Sequence, residues 1–188
     1  MKLGGDGHLS ATLEYTDAEM TSRSRQRGDA IDFERQTGIK VKDPVQNWGQ
    51  PERSALRLAL NAETYIGATR WYGFSTYGES EGVSDFNWRN PLSTSAYKPS
   101  PDNYPDYDLH KLYPAGFSPK FGQDDQDFAF TTGFDGDITA DFSWDASMSM
   151  GSSRIGYMLD ESINASLGTD SPTSFYLGEL KQREVNAN

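Results

Sequence analysis

Five segments of this chain alternate apolar and polar side chains with a period of two residues. They are residues 8–16, 56–64, 71–77, 127–135 and 142–151. A period of two places successive side chains on opposite faces of an extended chain, so each segment predicts a β-strand with one apolar and one polar face. The expected apolar faces carry no charged residue, although 24% of the whole chain is charged. We therefore predict an all-β fold, an antiparallel meander of about five long strands.

The third segment is ambiguous because aromatic residues stand on both of its faces. We assign Tyr72, Phe74 and Thr76 to the apolar face, and Trp71, Gly73, Ser75 and Tyr77 to the other. The charged residues of the five segments all fall on the expected polar faces: Glu14, Arg57, Glu63, Asp127, Asp135 and Asp145.

Short and long connections alternate between the predicted strands. Gly- and Asp-containing turns are expected before the first strand, between the second and third, and between the fourth and fifth. Residues 17–55 and 78–126 are long connections, and residues 152–188 form a tail after the fifth strand. Unstructured loops of this length are uncommon in a compact soluble domain, whereas short periplasmic turns opposite long extracellular loops are typical of outer-membrane barrels.

Aromatic residues cluster near the expected turns, where the interfacial girdle of such a barrel lies: Tyr65, Trp71, Tyr72, Phe134, Phe142 and Trp144. Five strands are too few to close a barrel, which needs about eight. A barrel interpretation therefore implies that this chain supplies part of the wall.

Composition excludes several classes of function. The formal net charge of −11 argues against nucleic acid as a partner, since phosphates require a basic surface. The chain has no cysteine, no apolar run of the length of a transmembrane helix and no signal-peptide core at its start. His8 and His110 are far apart, and no nucleophile elbow, phosphate-binding loop or zinc motif is present. We predict neither an enzyme nor a bound cofactor.

Four segments have a distinctive composition: Tyr-Pro-Ala-Gly-Phe-Ser-Pro-Lys-Phe-Gly at 113–122, Tyr-Gly-Phe-Ser-Thr-Tyr at 72–77, Ser-Ile-Asn-Ala-Ser-Leu-Gly at 162–168 and Ser-Pro-Thr-Ser-Phe-Tyr at 171–176. In sequence and order they resemble segments of TonB-dependent receptors, in which such stretches lead from loops into strands. The resemblance implies a 22-stranded transmembrane β-barrel in the outer membrane of a Gram-negative bacterium. Such receptors take up bulky nutrients, siderophores or carbohydrates, with energy delivered by the TonB complex through a plug domain.

On this resemblance, residues 1–188 form a partial receptor barrel without plug domain, signal peptide or C-terminal strands. The implied partners are a small-molecule nutrient, outer-membrane lipid and, through the plug, the TonB complex. Two alternatives remain open. A soluble β-sandwich that binds carbohydrate would bury the apolar strand faces against a second sheet. A secreted hydrolase is the less favoured alternative, because no catalytic residues are evident.

Aromatic residues in the long loops are the candidate ligand-binding residues, because aromatic rings stack on sugars and on aromatic chelators. They are Trp48, Trp88, Tyr104 and Tyr107. The alternative is that such residues pack the loops against one another. The acidic stretch Asp102–Asp108 offers oxygen ligands suited to calcium, but acidic runs of this kind usually remain solvated, and we predict no metal site.

Overall fold

A computed structural model describes residues 2–3, 7–98 and 107–188, with Lys2 and Leu3 described by their backbone alone. One antiparallel sheet dominates it, in which the strands follow one another in sequence order. The strands are β1 (Lys2–Leu3), β2 (Gly7–Ala18), β3 (Glu52–Ile66), β4 (Thr69–Asp85), β5 (Lys120–Thr139), β6 (Phe142–Asp160) and β7 (Phe175–Ala187). The all-β antiparallel meander predicted from the alternation is thus confirmed.

The five predicted strands lie within β2 to β6, but the observed strands are longer. β5 and β6 extend well beyond 127–135 and 142–151, at the ends that lead into the long connections. The extensions of β4 and β5 are largely polar on both faces, as in Glu79-Ser80-Glu81 and Asp124-Asp125-Gln126, so periodicity alone could not detect them. The extension of β6 does carry Ile155, Tyr157 and Leu159 on one face, but the predicted strand ended at Gly151.

The tail expected after the fifth strand contains a further strand, β7, which pairs with β6 from Leu159 to Met148. The register between these strands shifts beside Met158, where Gly178 adopts a φ of 122°. Such a bulge places an extra residue in one strand and interrupts the alternation of faces. The tail after the fifth predicted strand therefore continues the meander.

Connections at one end of the sheet are two-residue turns, at 67–68 and 140–141, and Gly67 takes a φ of 64° that suits such a turn. At the other end lie three longer connections: the first loop (19–51), the second loop (86–119) and the third loop (161–174). The alternation of short and long connections is as predicted. The loops are shorter than expected, because the strands extend into them.

Helical segments occur only in the loops, within the part of the chain that the structure describes. α1 (Gly28–Thr37) lies in the first loop, buries Ala30 and Phe33 on one side and is followed by its cap residue Gly38, whose φ is 74°. α2 (Leu109–Leu112) lies in the second loop, and short 3-10 turns occupy Ser95–Tyr97 and Ala165–Asp170. None of the described helices is long and apolar enough to cross a membrane.

The register of β3 and β4 reverses the faces assigned to the third predicted strand. Trp71 pairs with Thr64, and Tyr77 with Leu58, so the apolar face of β4 carries Trp71, Gly73, Ser75 and Tyr77. Directly paired residues of an antiparallel sheet point to the same side.

Glycines explain why both aromatic residues at the start of β4 fit. A Cβ at Gly73 would lie 3.2 Å from the Trp71 ring, and a Cβ at Gly133 would lie 2.5 Å from the Tyr72 hydroxyl. Each ring therefore covers a glycine on its own face, Trp71 on the apolar face and Tyr72 on the polar face. Hydrophobicity does not distinguish the two positions, which is why the sequence-based assignment was wrong.

Candidate functional site

The apolar face of the sheet carries a continuous band of uncharged side chains in register across β2 to β7. We call this band the apolar belt. Its middle row runs Ala11, Leu60, Ser75, Phe130, Met150 and Val185, from strand to strand. Large members such as Leu13, Met148 and Val185 are exposed. The belt is not covered by another layer of the described chain, since the buried hydrophobic core lies in the loops.

Aromatic side chains border the apolar belt on both sides. Near the two-residue turns, Trp71 pairs with Phe134, and Trp144 lies beside Gly136 on the next strand. Towards the loops, Tyr15 and Tyr77 mark the other border, where the Tyr77 hydroxyl donates to Glu79 at 2.7 Å. Rings in such positions combine an apolar body with a polar tip, which suits a boundary between lipid and water.

Beyond the loop-side aromatic residues, the same face becomes charged. This charged zone comprises Glu79, Glu81, Asp124, Arg154, Glu179 and Lys181, and Arg183 lies level with Tyr77 at its border. Arg154 bridges two strands, donating to Asp124 at 2.6 Å and to Glu179 at 2.8 Å. One face of the sheet thus changes from apolar to ionic along the length of its strands.

The opposite, polar face holds the charged residues that the sequence placed there. Arg57 pairs with Glu14 across β2 and β3 at 2.7 Å, and Arg70 contacts both Glu63 and Asp135. The Tyr72 hydroxyl donates to Asp145 at 2.7 Å. The polar face is therefore cross-linked between strands by charge-assisted hydrogen bonds, which would suit a water-filled or polar interior.

The first and second loops form the buried core of the molecule, in which Ala30, Phe33 and Val45 pack with Trp88. Phe33 meets Trp88 edge to face, with ring centroids 5.9 Å apart. The buried Gln46 side chain accepts hydrogen bonds from the Trp88 amide at 3.2 Å and from Arg27 at 2.8 Å. The Arg27 guanidinium in turn holds the pKa of Asp29 below its ordinary value.

A second group of aromatic side chains organises the second loop. Tyr97 is buried, donates its hydroxyl to the Tyr113 carbonyl at 2.8 Å and packs against His110 and Phe117. Burial is the main reason that the pKa of Tyr97 lies well above its ordinary value. This loop therefore has a packed interior of its own.

A cleft of about 470 Å³, the loop cleft, opens between the three loops and the loop ends of β4 and β5. Its lining combines apolar and charged residues: Lys42, Val45, Asp85, Trp88, Ala115, Gly116, Phe117, Ser118, Lys120 and Glu161. Gly116, with a φ of 77°, comes so close to Trp88 that a Cβ there would lie 2.5 Å from the indole nitrogen. The cleft has the volume of a small-molecule site, which is about 300–1,000 Å³.

Asp85 is the buried charge of the loop cleft, with a side chain only 3% exposed. It pairs with Lys120 and accepts a hydrogen bond from the Asn47 amide at 2.7 Å. Burial by itself would raise the pKa of Asp85, but Lys120 and the Asn47 amide outweigh it and hold the pKa below 3.8. The carboxylate thus fixes the first loop to the ends of β4 and β5.

The structure places the four predicted ligand-binding residues in different surroundings. Trp48 is 61% exposed, whereas Trp88 is 5% exposed and serves as the centre of loop packing while lining the loop cleft. Tyr107 is half-buried beside the aromatic group of the second loop, and burial raises its pKa. Tyr104 lies outside the described residues. Trp88 and Tyr107 thus lie in packed surroundings, whereas Trp48 projects from the surface.

Sequence reasoning did not single out the charged residues of the loop cleft. Lys42, Asp85, Lys120 and Glu161 come from four separate stretches, and their proximity depends on strand extensions that the alternation did not reveal. Of the acidic stretch Asp102–Asp108, residues 102–106 lie outside the described part of the chain. Asp108 is occupied as the cap of α2, accepting from the His110 amide at 3.0 Å. Among the described residues, no group of three acidic or histidine side chains could hold a metal ion.

No family model, curated protein or solved structure matches the chain. Its function is therefore inferred from the surfaces described above.

Proposed function

We propose that the chain is part of the wall of an outer-membrane β-barrel of the TonB-dependent receptor type, which takes up a bulky nutrient such as a siderophore or a carbohydrate. The observation that carries the proposal is the exposed apolar belt. It is bordered by aromatic residues and followed by the charged zone on the same face. In a bilayer, this sequence of surfaces matches hydrocarbon, interface and water in turn.

The dimensions of the apolar belt support a membrane location. From Leu56 to Thr64, β3 keeps uncharged residues on this face over nine positions, close to the roughly 9–11 residues that a tilted strand needs to cross a bilayer. Strands satisfy their backbone hydrogen bonds with their neighbours, so such a wall can stand in lipid once its edges are paired.

A soluble β-sandwich that binds carbohydrate is the alternative, and the sheet topology counts against it. A sandwich requires a second sheet packed on the apolar face. The strands of the described residues all belong to one sheet.

In the proposed orientation, the two-residue turns face the periplasm and the three loops face the outside, where the loop cleft would meet solutes. Outer-membrane lipid would contact the apolar belt. The TonB complex would act through a plug domain, and we assign no residue of this sheet to that contact.

Two substitutions at adjacent positions of β5 test the membrane location. Phe130 lies in the middle row of the apolar belt, while Thr131 points to the polar face. An arginine in the middle of a lipid-facing strand costs about 2–4 kcal/mol. We therefore expect Phe130→Arg to reduce the folded, membrane-inserted fraction strongly, and Thr131→Arg to leave it nearly unchanged.

The variants are introduced into the protein in its cellular setting and followed by fractionation and by the change of gel mobility on boiling. Equal insertion of both variants, or a protein found only in the soluble fraction, would contradict the proposal.

A further inference from the structure

The loop cleft holds two charged side chains of opposite sign that have no ion-pair partner among the described residues. Lys42 comes from the first loop and Glu161 from the third, and both are exposed at the cleft. The other two charges of the cleft, Asp85 and Lys120, neutralise each other. The charge of Lys42 helps to lower the pKa of Asp85, but the two side chains do not form an ion pair.

Both residues project from backbone that is held in place. Ser118 donates to the Val45 carbonyl at 2.6 Å, three residues after Lys42, and so fastens the first loop to the start of β5. Glu161 follows β6 directly, and the next residue, Ser162, donates its amide to the Thr173 carbonyl at 3.0 Å. The backbone near Lys42 and Glu161 is therefore held in place by hydrogen bonds to other segments.

Glu161 has a backbone conformation that is unusual for its residue type. Its φ is 50°, and among the residues that the structure describes it is the only one other than glycine with a positive φ. Residues other than glycine, asparagine and aspartate rarely adopt this backbone conformation, and those that do often lie at functional sites. Here it directs the chain out of β6 at the rim of the loop cleft.

An apolar surface lies in the same cleft as the two charges. Phe117 is its half-buried member, and Val45 and Trp88 contribute only the small exposed parts of side chains that are otherwise buried. A ligand that satisfies all three features has a negative group, a positive group and an apolar side group.

We propose that the loop cleft binds a zwitterionic solute of the amino-acid or short-peptide class. Its carboxylate lies at Lys42, its ammonium group at Glu161, and its side chain against Phe117 and Trp88. This inference rests on the proposed function, because it names the class of solute that the loops of the receptor wall meet first. Charge-assisted hydrogen bonds at both ends provide selection for the doubly charged form.

The test measures binding of three related probes to the full chain in detergent micelles by titration calorimetry: the dipeptide Ala-Phe, its N-acetylated form and its C-terminal amide. We expect Ala-Phe to bind, and acetylation or amidation each to weaken binding about tenfold, within the range of a lost charged hydrogen bond.

Two substitutions assign each end of the probe. Glu161→Gln should abolish the difference between Ala-Phe and its acetylated form while keeping the difference from the amide, and Lys42→Met should do the reverse. Glu19→Gln and Lys111→Met, at exposed positions outside the loop cleft, serve as controls and should bind all three probes as the parent does.

Absence of Ala-Phe binding, equal binding of the three probes, or variants that change all probes alike would overturn the inference. The result is separable from that of the membrane test. If Phe130→Arg blocks insertion while Ala-Phe does not bind, the wall proposal stands and the cleft proposal falls. If Ala-Phe binds to a chain that proves soluble, the cleft is a zwitterion site but its role in a receptor wall is overturned.

Discussion

Gln46 connects the two long loops through a single side-chain oxygen. It accepts from the Trp88 amide and from Arg27, and it is almost completely buried. Replacement by leucine keeps the bulk but removes the acceptor, which leaves a buried amide without its partner. Such a loss costs about 1–3 kcal/mol.

We expect Gln46→Leu to speed amide hydrogen exchange at Trp88 by an amount equivalent to that loss, with the chain held in detergent micelles. Gln50→Leu is the matched control, because Gln50 is exposed and its side chain makes no hydrogen bond in the described structure. Unchanged protection of Trp88 in Gln46→Leu would show that the loops are held together elsewhere.

Asp85 gives the docking of the first loop a dependence on pH. Its pKa in the folded chain lies below the ordinary value of 3.8, because the contacts with Lys120 and Asn47 outweigh the effect of burial. A carboxyl group with a lowered pKa stabilises the folded form above its unfolded pKa, and that contribution disappears as the pH falls through the folded pKa.

The loops should therefore loosen as the pH falls below about 3.8, and tryptophan fluorescence between pH 6 and pH 2 would follow the change. Asp85→Asn should weaken docking at neutral pH and make the acid transition smaller. Asp43→Asn, at an exposed position in the same loop, should leave the transition as in the parent. An identical transition in Asp85→Asn would exclude this carboxyl as its source.

At the level of elements, β4 shows where a sequence pattern is sufficient and where it is not. Alternation located the strand correctly, because only extended chain places every second residue on one face. It could not determine which face was apolar, since Trp71 and Tyr72 are both aromatic. That choice depends on Gly73 and Gly133, which leave room for the two rings, and on pairing with β3.

The loop cleft was beyond sequence reasoning for a related reason. Asp85 and Lys120 are directly paired residues, but the pairing appears only when β4 and β5 are extended through stretches that are polar on both faces. The burial of Trp88 depends on Phe33 and Gln46, which belong to a different loop. Contacts between loops leave no periodic signal in either segment.

Single cysteines along β4 test its faces directly, because the natural chain contains no cysteine. In lipid vesicles, a fluorophore attached at position 73, 75 or 77 should be quenched by a quencher carried on the lipid tails. A fluorophore at 72, 74 or 76 should be quenched much less. The opposite pattern would restore the assignment made from sequence, and equal quenching throughout would remove β4 from the lipid boundary.

The whole molecule has a surface that water does not favour. Its sheet exposes the apolar belt, and the sheet is open, with β7 at one edge and β1 and β2 at the other. Strand edges with free hydrogen-bonding groups and exposed apolar faces both promote association. In the proposed barrel, lipid would cover the apolar belt and further strands would pair with the two edges.

We expect the chain to self-associate in detergent-free buffer and to be dispersed by detergent above its critical micelle concentration, as measured by analytical ultracentrifugation. A second layer provided by the chain itself would instead give a single species of 20.9 kDa in both conditions. That outcome would favour the soluble binding module.

The charged zone has a mechanical consequence. β5 continues for eight residues beyond Phe128 before it reaches the second loop at Lys120, and a strand rises about 3.4 Å per residue. In the proposed barrel, with the tilt of about 40° that is usual in such proteins, the strands would lift the loops roughly 20 Å above the hydrocarbon. Arg154 stiffens this extension of the sheet, because it forms ion pairs with Asp124 and Glu179 on the neighbouring strands. Solutes would therefore reach the loop cleft well above the membrane surface, away from the lipid headgroups that surround the lower part of the strands.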